Sequence, residues 1–520
     1  MDTKALRQKI LDLAIRGKLV PQDPNDEPAE VLLERIREQK QQMLKEGKLK
    51  KKDIKNDTII FKGEDNLHYE KFQDGTVKCI EDEIPFEVPE GWCWARVRDI
   101  AMVKGGKRLP KGASFSEEIT THAYIRVTDM KNHSVNISNL RYISDEIFSA
   151  IKNYTIAKDD LYVTIAGTIG VVGEIPDKLD GMNLTENAVK ITNIAINKSF
   201  LCIILQTDFV QQQFQDKTHQ VAMPKLALER ILSTLIPICP YVQQLQIVDR
   251  FQICDNFLST IDTEKEELQK IVSLSKYKIL DLAIRGKLVP QDPNDEPASV
   301  ILESIRIEKE ELIKQGKIKR DKKKSVIFKG DDNSYYEKIG NKVNCIDEEI
   351  PFELPEGWAF IRLKIAWELI SGRDLSPSEY NDKNDGIPYI TGASNFRNGH
   401  ISLVRWTTVP QVITRRGDLL LTCKGTIGEI AHNNFGEAHI ARQIMAIRNI
   451  YSLNVDFLAL CIEYSMTKIK QAAKGLIPGI SREDILNLVI PIPPIKEQEN
   501  ICNKLKVTFS AIEHIEKSLN

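Results

Sequence analysis

The sequence predicts an α+β chain made of two copies of one unit, with two compact domains separated by long antiparallel coiled-coil helices and an internal pseudo-twofold. Three observations carry that expectation. The stretch Ile10–Ala29, ILDLAIRGKLVPQDPNDEPA, recurs residue for residue as Ile279–Ala298, at an offset of 269. An apolar 4,3,4,3 spacing runs through the middle of the chain from Ile247 to Leu282. Between the copied parts lie two segments of β-branched, strand-like pieces separated by glycine-bearing turns.

Size and composition set outer bounds. At 520 residues and 59.2 kDa the chain has room for two to four domains, more than one small module needs. Lysine and arginine total 72 against 74 acidic residues, which excludes a uniformly basic coat but leaves room for local basic faces. Apolar runs such as Leu201–Leu205 fall far short of the roughly 20 residues that cross a bilayer. The N-terminus is charged and amphipathic, without a signal-peptide core. None of the 9 cysteines is in a CxxC spacing. A cytoplasmic, non-membrane protein with free thiols is the expectation.

The elements follow in order. Residues 1–55 hold the N-terminal helices, with Leu6, Ile10 and Leu13 on an apolar stripe. Pro28, after Asp26 and Glu27, starts a second helix, and Pro297 repeats it; proline and acidic residues suit that end. Each of these helices ends in a lysine run, at 45–55 and 314–324, which reads equally as a contact for phosphates or acidic surfaces and as solvated linker. Residues 56–240 form the first domain with its lead-in, and residues 325–494 the second. The EIPFEVPEGW segment ending at Trp92 matches EIPFELPEGW ending at Trp358, and DLYVTIAGTIG ending at Gly170 matches DLLLTCKGTIG ending at Gly428.

The central spacer, 241–324, carries the seam Ile247, Phe251, Cys254, Leu258, Ile261, Lys265, Leu268, Val272, Ser275, Ile279 and Leu282. The C-terminal segment, 495–520, repeats its first part as Ile501, Leu505, Thr508, Ile512, Ile515 and Leu519. Leu6, Ile10 and Leu13 match Ser275, Ile279 and Leu282, so the two termini put end to end rebuild the central rod. Closed symmetry of this kind is ordinarily found between subunits of a homodimer.

The inserts 92–240 and 358–494 differ most between the copies, and the copied frame around them implies one shared task and two separate ones. Drift of loops is the plainer alternative. Candidate nucleic-acid contacts in the first insert are Lys104, Lys107, Arg108 and Lys111 in a glycine-rich loop, with Arg126 further on. In the second they are Arg373, Asn395, Arg397 and Asn398, then Arg415, Arg416, Lys424 and Arg442. Arginine and asparagine suit paired hydrogen bonds to guanine and adenine. Taken singly, each is more ordinarily a surface ion-pair partner.

Catalytic patterns are missing from the sequence: no GxxxxGK[ST], no HExxH, and no DPPY-like motif, the one Pro-Pro being Pro493-Pro494. Asp177-Lys178 after Pro176 is a poor fragment of a nuclease motif, and GTIG, present twice without a following basic residue, reads as a tight turn.

With duplication, helical spacers and the pattern GDLLLTCKGTIG…IPGISREDILNLVIPIPPIKEQENI in the second half, and KDDLYVTIAGTIG and IPICPYVQQ in the first, the chain resembles the DNA specificity subunit of type I restriction-modification systems. The resemblance implies two target recognition domains, each reading one half of a bipartite sequence in double-stranded DNA. It also implies helices that act as a ruler and dock two copies of an adenine-methylating subunit, and two motor-nuclease subunits. No cofactor is then expected on this chain; S-adenosylmethionine, ATP and Mg2+ belong to the partners, and the subunit itself is not an enzyme.

Overall fold

The computed structural model describes residues 2–215, 225–316, 325–397, 399–451, 453–472 and 479–519, the side chains of 467–472 excepted. Most of the second lysine run and Asn398 lie outside the described residues. The chain forms two compact units, 1–265 and 266–520. The division falls inside the 44-residue helix Tyr241–Ile284, and the architecture is two α+β domains linked by long helices.

The first unit opens with the helix Thr3–Ile15, capped by the Asp2 carboxylate, which accepts the Ala5 N–H at 2.9 Å. Gly17 ends it at φ +63°, where a Cβ would stand 2.5 Å from Pro89, so glycine is required twice over. Leu11, Ala14 and Ile15 are its buried face and join the domain core with Trp92, Leu161, Ile204, Ile247 and Phe251. The expected stripe is therefore displaced: Leu6 is exposed, while Ile10 and Leu13 are half-buried. A helix lying on a globular core buries the face that core selects, and here that face is offset by one or two positions from the heptad stripe.

In the first unit the N-terminal helix nonetheless pairs antiparallel with the central one. Thr3 donates to Asp262 at 2.5 Å and Arg7 to Asp255 at 2.6 Å, so the chain numbers run in opposite senses. In the second unit Lys276 bridges Glu516 of the helix Ile495–Leu519 at 2.7 Å. Phe251, Leu258, Val272, Ile501 and Leu505 are buried along the seam. Ile261, Ile279, Leu282, Ile512 and Leu519 are half-buried. Leu268 and Ile515 are exposed.

Pro28 and Pro297 stand at the N-caps of the helices Ala29–Lys45 and Ala298–Lys314. A three-stranded antiparallel lead-in sheet follows in each unit, 58–62/68–72/77–79 and 325–329/335–339/342–345. Each is clamped to its domain by a buried arginine. Arg96 meets Glu70 and Glu83, both at 2.8 Å, and Arg362 meets Glu337 at 2.7 Å and Glu349 at 2.6 Å.

The two domains share one topology. An antiparallel four-stranded sheet, ordered 172–174, 161–164, 188–192, 102–105, recurs as 430–432, 419–422, 444–449, 367–371. A second, mixed sheet, 155–156, 182–184, 123–125, 141–142, recurs as 413–414, 438–440, 387–390, 406–407. Its one parallel pair is Leu184 with Ile125, and Ile440 with Ile390. Inward residues of both sheets, such as Tyr162, Leu184 and Ile125 in the first domain, close the core between them.

Candidate nucleic-acid interface

In the first domain four chain segments are stitched together at one end of the antiparallel sheet. Strand Met102–Gly105 runs into Gly106, whose added Cβ would lie 2.0 Å from the Thr185 carbonyl oxygen, an approach only glycine permits. The Lys107 N–H donates to the Leu184 carbonyl at 2.9 Å, and the Ile165 N–H to the Asn187 carbonyl at 2.8 Å. The Leu226 N–H reaches the Ile165 carbonyl at 2.9 Å. The GTIG segment closes here as a turn, the Gly170 N–H returning to the Thr164 carbonyl at 2.9 Å with φ +87°.

The second domain builds the same end. Gly372 lies against the Ala441 carbonyl, 2.1 Å from where its Cβ would be. The Arg373 N–H donates to the Ile440 carbonyl at 2.9 Å, the Cys423 N–H to Gln443 at 2.8 Å, and the Ile480 N–H to Cys423 at 2.9 Å.

Basic side chains gather at both ends. Lys107 and Arg108 are exposed on the first, Lys107 Nζ lying 5.4 Å from the centre of the Tyr154 ring. Lys225 joins them, its Nζ donating to the Glu186 carbonyl at 3.3 Å. Arg373, Lys424 and Arg442 are exposed on the second, and Arg482 joins them by donating to Ser371 Oγ at 3.1 Å. Sequence reading passed over Lys225 and Arg482; the one available signal was that both precede the final repeated strand, in the looser MPKLALERIL and IPGISREDIL match.

The remaining candidates are placed differently. Lys104 is exposed on its strand, in register with Lys190, and Lys111 is exposed further along the loop. Arg397 is exposed on the hairpin Phe396–Arg397/His400–Ile401. Arg126 is occupied: Nε and Nη2 donate to the Asp129 carboxylate at 3.0 and 2.7 Å, and Nη2 also to the Asn139 carbonyl at 2.9 Å. Asn395 is fully buried, its Oδ1 accepting from the Thr391 N–H at 3.0 Å and its Nδ2 donating to the Ser402 carbonyl at 2.8 Å. Asp129 and Asn395 both brace the short 3-10 turn after the parallel strand, so these two positions staple loops.

One buried histidine steadies the second end. His439 Nδ1 accepts the Val412 N–H at 3.1 Å, which puts its proton on Nε2, and Nε2 donates to the Arg373 carbonyl at 2.8 Å. Burial holds its pKa below the ordinary imidazole value. Asn183 fills the matching place in the first domain, pairing with Tyr124 as His439 pairs with Tyr389, and donates to the Ile151 carbonyl at 3.0 Å.

Among the described residues no three histidine, cysteine or acidic side chains are placed to share a metal ion. No helix among them is long and apolar enough to cross a membrane.

The family model described as the type I restriction modification DNA specificity domain matches residues 89–271 and 355–520. The chain is 26% identical to the type I restriction enzyme EcoAI specificity subunit of Escherichia coli, over 97% of this chain and 90% of that one. It is 24% identical to the EcoEI specificity subunit of the same organism, over 99% of this chain and 90% of that one. It is 22% identical to the putative type I restriction enzyme MjaX specificity subunit of Methanocaldococcus jannaschii, over 82% and 89%. Among solved structures, a chain from a study of complex assembly and conformational transition of the type I R-M system superimposes with a TM-score of 0.55 at 17% identity. It covers 84% of this chain and 94% of that one, and the likeness is one of fold.

Proposed function

Because the chain belongs to the type I restriction modification DNA specificity family, whose domain it carries twice, we propose that it is the sequence-reading subunit of a type I restriction-modification complex. Each domain reads one half of a bipartite target in double-stranded DNA. The observation that carries this is the recurrence of one stitched sheet end in both domains, ringed by different basic side chains: Lys107, Arg108 and Lys225 in one, Arg373, Lys424, Arg442 and Arg482 in the other. Bases are told apart by side chains projected from such loops, while lysines on their rims hold phosphates.

The copied frame supports a second part of the proposal. Ile10–Ala29 and Ile279–Ala298 fold alike, with the Ala29 N–H on the Gly91 carbonyl and the Ala298 N–H on the Gly357 carbonyl, both at 2.8 Å. One surface presented twice suits two copies of one partner, the adenine-methylating subunit, which brings S-adenosylmethionine. Two motor-nuclease subunits add ATP- and Mg2+-dependent translocation and cleavage, and this chain contributes recognition without catalysis. Methylation-sensitive sequencing of a host genome, with and without this chain beside its methylating partner, tests the proposal. A methylated adenine in each half of one interrupted motif is the expected result; methylation independent of this chain overturns it.

A further inference from the structure

Two ion pairs occupy the same place in the two domains with their charges exchanged. Arg108 and Asp374 each stand two residues after the glycine pressed on the connector, Gly106 or Gly372. Glu186 and Arg442 each follow the residue whose carbonyl meets that glycine, Thr185 or Ala441. Arg108 Nε lies 3.2 Å from Glu186, and Arg442 Nε lies 2.7 Å from Asp374.

In both pairs the acid takes the Nε edge of the guanidinium and is itself anchored. Glu186 accepts from Thr185 Oγ1 at 3.2 Å, and Asp374 accepts the Arg442 N–H at 3.1 Å. Among the described residues, the terminal nitrogens of neither arginine donate a hydrogen bond, and the side chains are 75% and 67% exposed. Arg126, by contrast, spends Nη2 on two acceptors, and Arg96 and Arg362 are sealed in their clamps. An arginine whose acid partner lies at Nε keeps its two terminal nitrogens as a donor edge, the geometry that matches O6 and N7 of guanine in the major groove.

Resting on the DNA-reading function proposed above, we infer that Arg108 and Arg442 each read a guanine, one in each half of the target, with Glu186 and Asp374 as positioning residues. The reading side chain comes from the loop after strand 102–105 in the first domain and from the connector before strand 444–449 in the second. Lys107, Lys225, Arg373 and Lys424 flank these arginines and meet phosphates.

The test uses the full chain co-expressed with its methylating partner, first defining the wild-type motif by methylation-sensitive sequencing, then measuring binding to duplexes changed at single positions. Arg108→Ala is expected to lose about tenfold or more in discrimination at one G·C position of one half-site, leaving the other half unchanged. Glu186→Gln loses part of the same discrimination at the same position. Arg442→Ala and Asp374→Asn act likewise on the other half. Full discrimination by Arg108→Ala overturns the inference, and so does uniform weakening by that variant with a salt slope lower by about 0.9, which assigns a phosphate contact. A wild-type complex that yields no bipartite motif overturns the proposed function, and this assignment with it.

Discussion

Glu497 accepts the indole N–H of Trp358 at 2.8 Å, in the place where Gln243 accepts that of Trp92 at 2.9 Å. The exchange has an energetic consequence. The Gln243 amide also donates to Asp26 at 3.0 Å. A carboxylate cannot donate to Asp295, which corresponds to Asp26 in the repeat. Burial pushes the Glu497 carboxyl above its ordinary pKa, and Asp295 adds to the effect.

Glu497→Gln should therefore stabilise the second unit at neutral pH by about 1 kcal/mol, the net value of one intramolecular hydrogen bond. The sign with pH follows from linkage: a carboxyl with a raised folded pKa costs nothing below its ordinary value and costs most above the raised one. Thermal unfolding at pH 4 and pH 7.5 measures this. The gain from the substitution should be present at the higher pH and shrink at the lower.

Removing an arginine clamp should be costly. Arg96 and Glu70 are each less than a tenth exposed, and Arg96→Met leaves that carboxylate buried without its partner. A loss of about 3–5 kcal/mol is expected, while Arg96→Met combined with Glu70→Leu recovers much of it. Urea unfolding of the single and double variants checks the order, which Arg362 and Glu337 should repeat.

Acid should loosen the second reading end before the first. The depressed pKa of His439, caused by burial and opposed by Glu379 and Asp374, means its contribution is complete above the ordinary imidazole value and falls as pH drops toward the folded one. Protonation removes the acceptor for the Val412 N–H, while Nε2 still donates to the Arg373 carbonyl. Protection of the Val412 N–H against hydrogen exchange should fall as pH drops below the ordinary imidazole value of about 6.5, with Lys107 unchanged. His439→Gln should abolish that pH dependence.

Asn395→Ala should cost about 1–3 kcal/mol of stability by leaving the Thr391 and Gly392 N–H groups without their acceptor. It should shift no single base preference. Arg397→Ala, on an exposed strand, should leave unfolding within about 0.5 kcal/mol of wild type.

The duplicated frame was legible in the sequence because copying keeps residue order, and the length of the central helix followed from one unbroken spacing. Which face of each helix is buried was not. A heptad stripe is indifferent to what covers it, and Leu11 rather than Leu6 meets the core because the domain packs on the face that carries Leu11, Ala14 and Ile15. Arg108 and Arg126 look alike in sequence. Only the fold reveals that Asp129 turns back onto Arg126 while Arg108 keeps its outer edge free. The exchanged pair escaped for a further reason: Arg108 to Asp374 spans 266 residues, Glu186 to Arg442 spans 256, and opposite charges hide the equivalence.

Exchanging residues 358–494 for the corresponding segment of a related chain, then sequencing adenine methylation in the host, tests the central claim most directly. Two self-contained domains on one frame predict a motif new in one half and unchanged in the other. A motif altered in both halves, or in neither, would contradict it.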